Sequence, residues 1–420
     1  MSERRVELGL RENLAQFSLL VAINAFVGAM VGLERSTLPL IGQADFDLAS
    51  KAAVLSFIVA FGLAKALTNL GAGALAQRLG RRRLLIAGWA VALPVPLLIA
   101  VAPSWGWIVA ANVLLGINQG LAWSMTVVMK IDLVGPERRG FALGLNEAAG
   151  YGGLAVAAAV SGWLAVEVAP RDVLVAAAAG IAVIALLVSA VFVRDTAAHV
   201  ALEQQRHPGG DERAPSLREA FADTSWRDPA LRACSQAGLV NNLNDALAWG
   251  LVPLFLAAHG ASIGQVGLVA GVYPAVWGVG QIWTGHWSDR VGRKLPIVSG
   301  MLLQAGALTV LAVSDGAVGI AALAAALLGV GTALVYPTLI AAISDAVPPV
   351  ARAPAVGVYR FWRDMGYVAG GVLAGVVADS LGYGGATAVV AALTAASGVL
   401  VLAELPGRAV RAGTRSAVAS

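Results

Sequence analysis

Apolar runs of roughly 20 residues, the length of helix that crosses a hydrocarbon core of about 30 Å, recur along the whole chain and constrain it more than any other feature. Twelve stand out, near 17–41, 52–76, 84–102, 107–129, 141–166, 173–193, 235–258, 263–285, 296–314, 316–343, 353–379 and 384–404. None shows the two-residue alternation of a membrane barrel strand, so each is expected to be a helix that satisfies its own backbone groups in lipid. The bulk numbers agree: mean hydropathy is +0.76 and only 13% of the 420 residues are charged, far from a soluble domain.

An even number of spans leaves both ends on one side, and Lys and Arg decide which side that is. They crowd into the N-terminal segment, the even-to-odd loops, the stretch after the sixth span and the C-terminal tail, whereas the opposite loops hold only Lys51 and Arg171. Both termini are therefore expected in the cytoplasm, and the chain in a bacterial inner (cytoplasmic) membrane, its first span acting as its own insertion signal. The net charge of +4 reports this topology. No basic stripe with interleaved aromatics exists, so nucleic acid is not an expected partner. Cys234 is single, which excludes an internal disulfide, and His199, His207, His259 and His286 lack the spacing of metal ligands. Nucleotide-binding loops and nucleophile–base pairs are also missing, so an enzyme, an ATP-driven pump, a metal site and a cofactor are all unexpected.

The two halves of the chain repeat one plan. Pro39 is matched by Pro253, Gly73 by Gly285, Asp132 by Asp345, and Pro136, Arg139 and Gly144 by Pro349, Arg352 and Gly357, always 212 to 214 residues apart. A nearly constant offset at six landmarks predicts two six-helix bundles of one topology, over 1–193 and 231–420. Between them 194–230 is polar, carries HPGGDERAPS and has no apolar period, so a cytoplasmic linker is expected.

A second mark of repetition carries chemistry. GHWSDRVGRK, Gly285 to Lys294, places Gly285, Asp289, Arg290, Gly292, Arg293 and Lys294 between two apolar spans, and GALAQRLGRRR, Gly73 to Arg83, repeats it with Gln77 in place of the acid. The pattern resembles the signature of the major facilitator superfamily, found after the second span and echoed after the eighth. With twelve spans and a polar midpoint, the resemblance covers roughly 13–405. It implies an all-α membrane protein of twelve transmembrane helices in two pseudo-symmetric six-helix bundles, with a cavity lined chiefly by spans one, four, seven and ten. It also implies that Asp289 lies beside the start of span five near Gly140, and the first loop beside the start of span eleven near Ala353 and Pro354. A helix start offers unpaired N–H groups and partial positive charge. Asp289 would then latch the bundles on the cytoplasmic side, with Gln77 a weaker counterpart and Gly73, Arg78, Gly80, Arg81, Gly285, Arg290, Gly292 and Arg293 completing the gate. The other reading is that these basic residues only anchor loops at lipid headgroups.

A charge at bilayer depth costs at least about 2.5–3.5 kcal/mol and is not kept against lipid without use. Span seven carries Asn241, Asn242, Asn244 and Asp245, and helical spacing puts 241, 244/245 and 248/249 on one face that ends at Trp249. That stripe reads as a cavity wall, with interhelical hydrogen bonding as the alternative for the asparagines. Glu34 and Arg35 in span one lie about 100° apart on a helix, so one can face the cavity while the other meets a neighbouring helix, or both can reach the headgroups. Lys65, with Asn69 one turn on, is deep in span two, where pairing with Asp245 or Glu147 is the structural alternative. Glu147 in span five and Arg360, Arg363 and Asp364 in span eleven read as gate and packing charges. From the resemblance, the cavity spans add Gln119 and Trp123 in span four and Tyr336 beside Pro337 in span ten; Tyr273 and Trp277 join them from span eight.

Two positions depart from the family pattern. Gly116 stands where many members carry an arginine three residues before Gln119-Gly120, and Tyr151 breaks the Gly-Pro-x-x-Gly-Gly signature of antiporters. The expectation is a secondary transporter working by alternating access in a lipid bilayer, with a small-molecule substrate and protons as partners. Proton-coupled efflux of an amphipathic organic compound leads. Its substrate contacts would be Glu34, Arg35, Gln119, Trp123, Asn241, Asn244, Asp245, Trp249 and Tyr336, and its proton carrier Asp245 or, second, Glu34, since a buried acid can exchange its charge for a proton. Uptake or exchange of an organic anion is the alternative, favoured by Arg35, Lys65, Arg360 and Arg363. A non-transporting sensor on the same scaffold is the second alternative.

Overall fold

The structure, a computed structural model, describes residues 6–134, 139–206, 215–347 and 349–406; the side chains at 73, 74, 77, 139–141, 143, 203–206, 285, 286, 289, 349, 350 and 353 lie outside that description. The first half of the chain forms α1 (Leu14–Ala44), α2 (Lys51–Leu79), α3 (Arg81–Ala92), α4 (Pro94–Ala100), α5 (Trp105–Val134), α6 (Arg139–Leu164) and α7 (Pro170–Val191). Two short helices follow, α8 (Ala197–Arg206) and α9 (Leu217–Ala222). The second half holds α10 (Pro229–Ala246), α11 (Val252–Ala258), α12 (Ile263–Val291), α13 (Lys294–Ala312), α14 (Val318–Ala346) and α15 (Pro349–Glu404). No strand occurs among the described residues.

Nine helical segments among the described residues are long and apolar enough to cross a membrane. The remaining apolar stretches of the sequence are helical as well. α6 covers 141–164, α10 and α11 cover 235–258 with a π-helical turn between them, and α15 is two legs joined at Gly382, whose φ of 73° only glycine adopts without strain. Pro94 and Pro96, which lack N–H donors, separate α3 from α4 within one apolar stretch.

Local chemistry fixes the helix ends. Ser50 caps α2 by accepting from the Ala53 N–H at 3.1 Å, and Ser262 with Gln265 forms a capping box at the start of α12. α2 and α12 both end on a glycine of φ 87°, Gly80 and Gly292, so the repeated motif has the same turn in both halves. After each turn an arginine reaches an acid at the end of a neighbouring helix: Arg81 meets Asp132 at 2.6 Å, and Arg293 meets Asp345 at 2.9 Å. The polar stretch expected as a plain linker contains a second capping box, Ser216 with Glu219, that starts α9. Phe221 of α9 then packs 5.9 Å from Trp362 of α15.

α1 packs on α5, α6 and α7, and α2 on α5; in the second half α10 packs on α15 and α13 on both α14 and α15. The halves meet along two broad seams, α2 against α15 and α6 against α12. Helix polarity gives the molecule two ends. One, the motif end, holds the start of α1 and the ends of α2 and α12; the other, the Asp379 end, holds the start of α2 and the bend of α15.

Candidate functional site

Midway along the helices, charged side chains that could not face lipid meet aromatic ones. Asp245 near the end of α10 is completely buried. One carboxylate oxygen accepts from the Tyr273 hydroxyl of α12, and the other from Tyr367 of α15 at 3.5 Å. Tyr273 also meets the Thr332 hydroxyl of α14 at 3.1 Å. No cation lies within ion-pair distance of Asp245 among the described residues; its company is phenolic.

The helix changes form at this point. Leu247–Leu251 is a π-helical turn, followed by Pro253, whose missing N–H eases the break in the α-ladder. Trp249, in that turn, stacks on Tyr367 with ring centres 5.8 Å apart and lies 6.1 Å from Tyr273.

Arg35 is fully buried, and none of its three guanidinium nitrogens has a hydrogen-bond acceptor among the described residues. Its Cζ lies 4.5 Å from the Phe61 ring centre, 5.1 Å from Phe57 and 6.0 Å from Trp249. Glu34 is buried near Asn112 of α5, with Oε2 unpartnered and no ion pair to Arg35 among the described residues. The two residues diverge as adjacent helical positions must.

One turn nearer the motif end lies a second cluster. Asp364 of α15 accepts from Asn69 at 2.5 Å and pairs with Lys65 at 3.7 Å and Arg363 at 3.9 Å. Arg363 donates to the Tyr151 hydroxyl at 2.7 Å and sits 4.1 Å from the Tyr336 ring centre. Glu147 accepts from Trp123 at 3.0 Å and from Asn146 at 3.1 Å. Tyr151 packs between Trp277, at 3.5 Å between ring centres, and Trp123, at 5.3 Å. Lys65, Trp123, Tyr336, Arg360, Arg363 and Asp364 line a cleft here. The charges read from sequence as gate residues, Glu147, Arg360, Arg363 and Asp364, thus stand with Lys65, Trp123 and Tyr336 in the middle of the molecule.

Other candidates lie elsewhere. Asn244 donates to Gln304 at 2.9 Å and accepts from Thr394 at 2.8 Å, while Asn241 accepts from Gln304 at 3.0 Å. These bonds tie α10 to α13 and α15, on a different side from Asp245. Gln119 donates to the Val27 carbonyl at 2.8 Å and so ties α5 to α1. Arg78 and Arg290 are exposed at the motif end. Gln77 and Asp289, with Gly73 and Gly285, lie outside the described side chains, as do Gly140 and Ala353, beside which the motif loops were expected. Sequence reasoning did not single out Phe57, Phe61, Asn112 or Gln304. Gln304 alone carried a signal, as a lone amide in an otherwise apolar span.

Comparison with known proteins places this geometry. The sequence profile of the Major Facilitator Superfamily matches residues 14–241 and again 234–419, and the chain belongs to that family. It is 26% identical over 367 residues, 84% of this chain and 87% of the relative, to the "Uncharacterized MFS-type transporter STM4428" of Salmonella typhimurium. It is also 33% identical over 135 residues, 32% of this chain and 31% of the relative, to the "Uncharacterized MFS-type transporter YddS" of Bacillus subtilis. The protein is therefore an all-α, multi-pass membrane protein of a secondary-transporter family, whose substrates are small molecules.

Proposed function

We propose that the chain couples protons to the movement of a small amphipathic organic compound by alternating access, with the motif end in the cytoplasm and export as the direction. The observation that carries the coupling is Asp245, a buried carboxylate held by two tyrosine hydroxyls and by no ion pair among the described residues. A phenol can donate or accept, so Asp245 can gain a proton without stranding its neighbours. A structural ion pair could not do so as cheaply, because protonation would leave a cation unpaired. Tyr273 and Tyr367 stand on α12 and α15, the helices that form both seams with the first half, so the charge of Asp245 bears directly on how the halves pack.

The test is flux into proteoliposomes under an imposed pH gradient. Asp245→Asn is expected to lose gradient-driven accumulation by about tenfold or more, one unmade charge-dependent step at 1.4 kcal/mol per decade, while exchange without a gradient persists. Wild-type gradient dependence in that variant would remove Asp245 from the coupling.

A further inference from the structure

Arg35 has more binding capacity than its surroundings use. A guanidinium carries five N–H donors and no acceptor. The Phe57, Phe61 and Trp249 rings at 5.1, 4.5 and 6.0 Å attract the cation but accept none of those N–H groups in ordinary hydrogen bonds. Asp245 is held by tyrosines, Asp364 is held by Asn69 and Lys65, and Glu34, next to Arg35 in sequence, makes no ion pair with it among the described residues. Lys65 pairs with Asp364, and Arg363 with Asp364 and Tyr151, while Arg360, in the cleft nearer the motif end, is partly exposed where Arg35 is fully buried. Trp249 then links the open charge to an apolar space. The same side chain lines a cleft with Leu247, Val252, Val266, Leu308 and Leu328.

We infer that Arg35 and this cleft form a binding site for an amphipathic organic monocarboxylate. The carboxylate takes the planar, two-pronged pairing for which a guanidinium is shaped, and the apolar body runs past Trp249 into the cleft. One fully buried, open guanidinium suits a single negative charge on an apolar body and disfavours both a strongly hydrated multivalent anion such as phosphate and an organic cation. The inference names the substrate of the proposed transporter and rests on that reading for its place in a cycle, though not on proton coupling.

The experiment measures thermal unfolding of the purified full-length protein with millimolar phenylacetate, octanoate, phenylacetamide, phenethylamine or inorganic phosphate. Phenylacetate and octanoate are expected to raise Tm by several degrees, and the amide, the amine and phosphate to leave it unchanged. Arg35→Gln should weaken carboxylate binding by about 10- to 100-fold, as loss of a charged hydrogen bond does, and Arg35→Lys should weaken it less. If the arginine variants do not fold, Leu308→Trp, which fills the cleft, should weaken octanoate binding instead. The inference falls if neither carboxylate shifts Tm, if the amine or amide shifts it equally, or if Arg35→Gln keeps the full shift. Because the readout is equilibrium binding, carboxylate binding without any flux would sink the transporter reading alone. Gradient-driven flux of a neutral compound, with no carboxylate bound, would sink only this inference.

Discussion

Asp379, late in the first leg of α15, accepts from the Ser50 hydroxyl at 2.6 Å and from the backbone N–H groups of Lys51 and Ala52 at 2.7 and 3.2 Å. An acid of the second half thus satisfies the start of a helix of the first, where N–H groups stand unpaired. At the motif end the described ion pairs stay within a half, Arg81 with Asp132 and Arg293 with Asp345. Packing at the Asp379 end is close as well. A Cβ on Gly375 would lie 2.5 Å from the Ala52 Cα, and Gly162 and Gly267 approach so closely that a Cβ on either would lie 2.6 Å from the other's Cα. At Gly144 and Gly357, nearer the motif end, a Cβ would meet nothing within 4 Å among the described residues. At the Asp379 end the seams are shut by both charge and close packing, as in a two-bundle transporter closed on that face.

The largest expected effect breaks the closed end by volume. Gly375→Ala forces the backbone of α2 away from α15, and small residues are what allow such helices to touch, so flux should fall by about tenfold or more. Gly357→Ala, an identical change about five turns away on the same face of α15, should cost less than about twofold, since a Cβ there meets nothing within 4 Å among the described residues and overpacking is destabilising only where something is already packed. Equal losses from both would mean that close packing at the Asp379 end is not what the working protein depends on. A smaller effect follows from charge. Asp379→Asn keeps the shape and removes the negative charge from a helix start, worth about 1 kcal/mol, or about a fivefold shift toward separation at that end. Alkylation of a Val59→Cys reporter, whose side chain packs on Gly371, should speed up accordingly; an unchanged rate would show that Asp379 decorates the seam without holding it.

What could be read from sequence was whatever leaves a local or periodic trace. Apolar length marked the helices, and the constant offset already paired Asp132 with Asp345, the two acids that the motif arginines reach. Asn244 and Asp245 shared an expected face because an unbroken α-helical period was carried through Trp249. The π turn at Leu247–Leu251 breaks that period, and adjacent residues diverge in any case, so the asparagines bind α13 and α15 while Asp245 meets Tyr273 and Tyr367. Arg35 was marked by its depth, but its ring partners Phe57 and Phe61 are ordinary apolar residues until α1 and α2 are brought together. Asp379 left no trace, because it binds mainly backbone groups 327 to 329 residues away.

The smallest effect asks whether the motif arginines act within a half or between halves. Arg81 and Asp132 are 17% and 9% exposed, whereas Arg293 and Asp345 are 19% and 38% exposed. Water screens the second pair more, and exposed pairs are worth little. Arg81→Gln is therefore expected to lower unfolding stability by about 1 kcal/mol and Arg293→Gln by about half of that or less. Neither should change Val59→Cys alkylation at the far end, because both pairs tie a turn to its own half. Should Arg293→Gln speed that alkylation as much as Asp379→Asn does, the motif would have to reach across the seam, and the contrast between an end bridged by charge and an end whose described ion pairs stay within a half would fail.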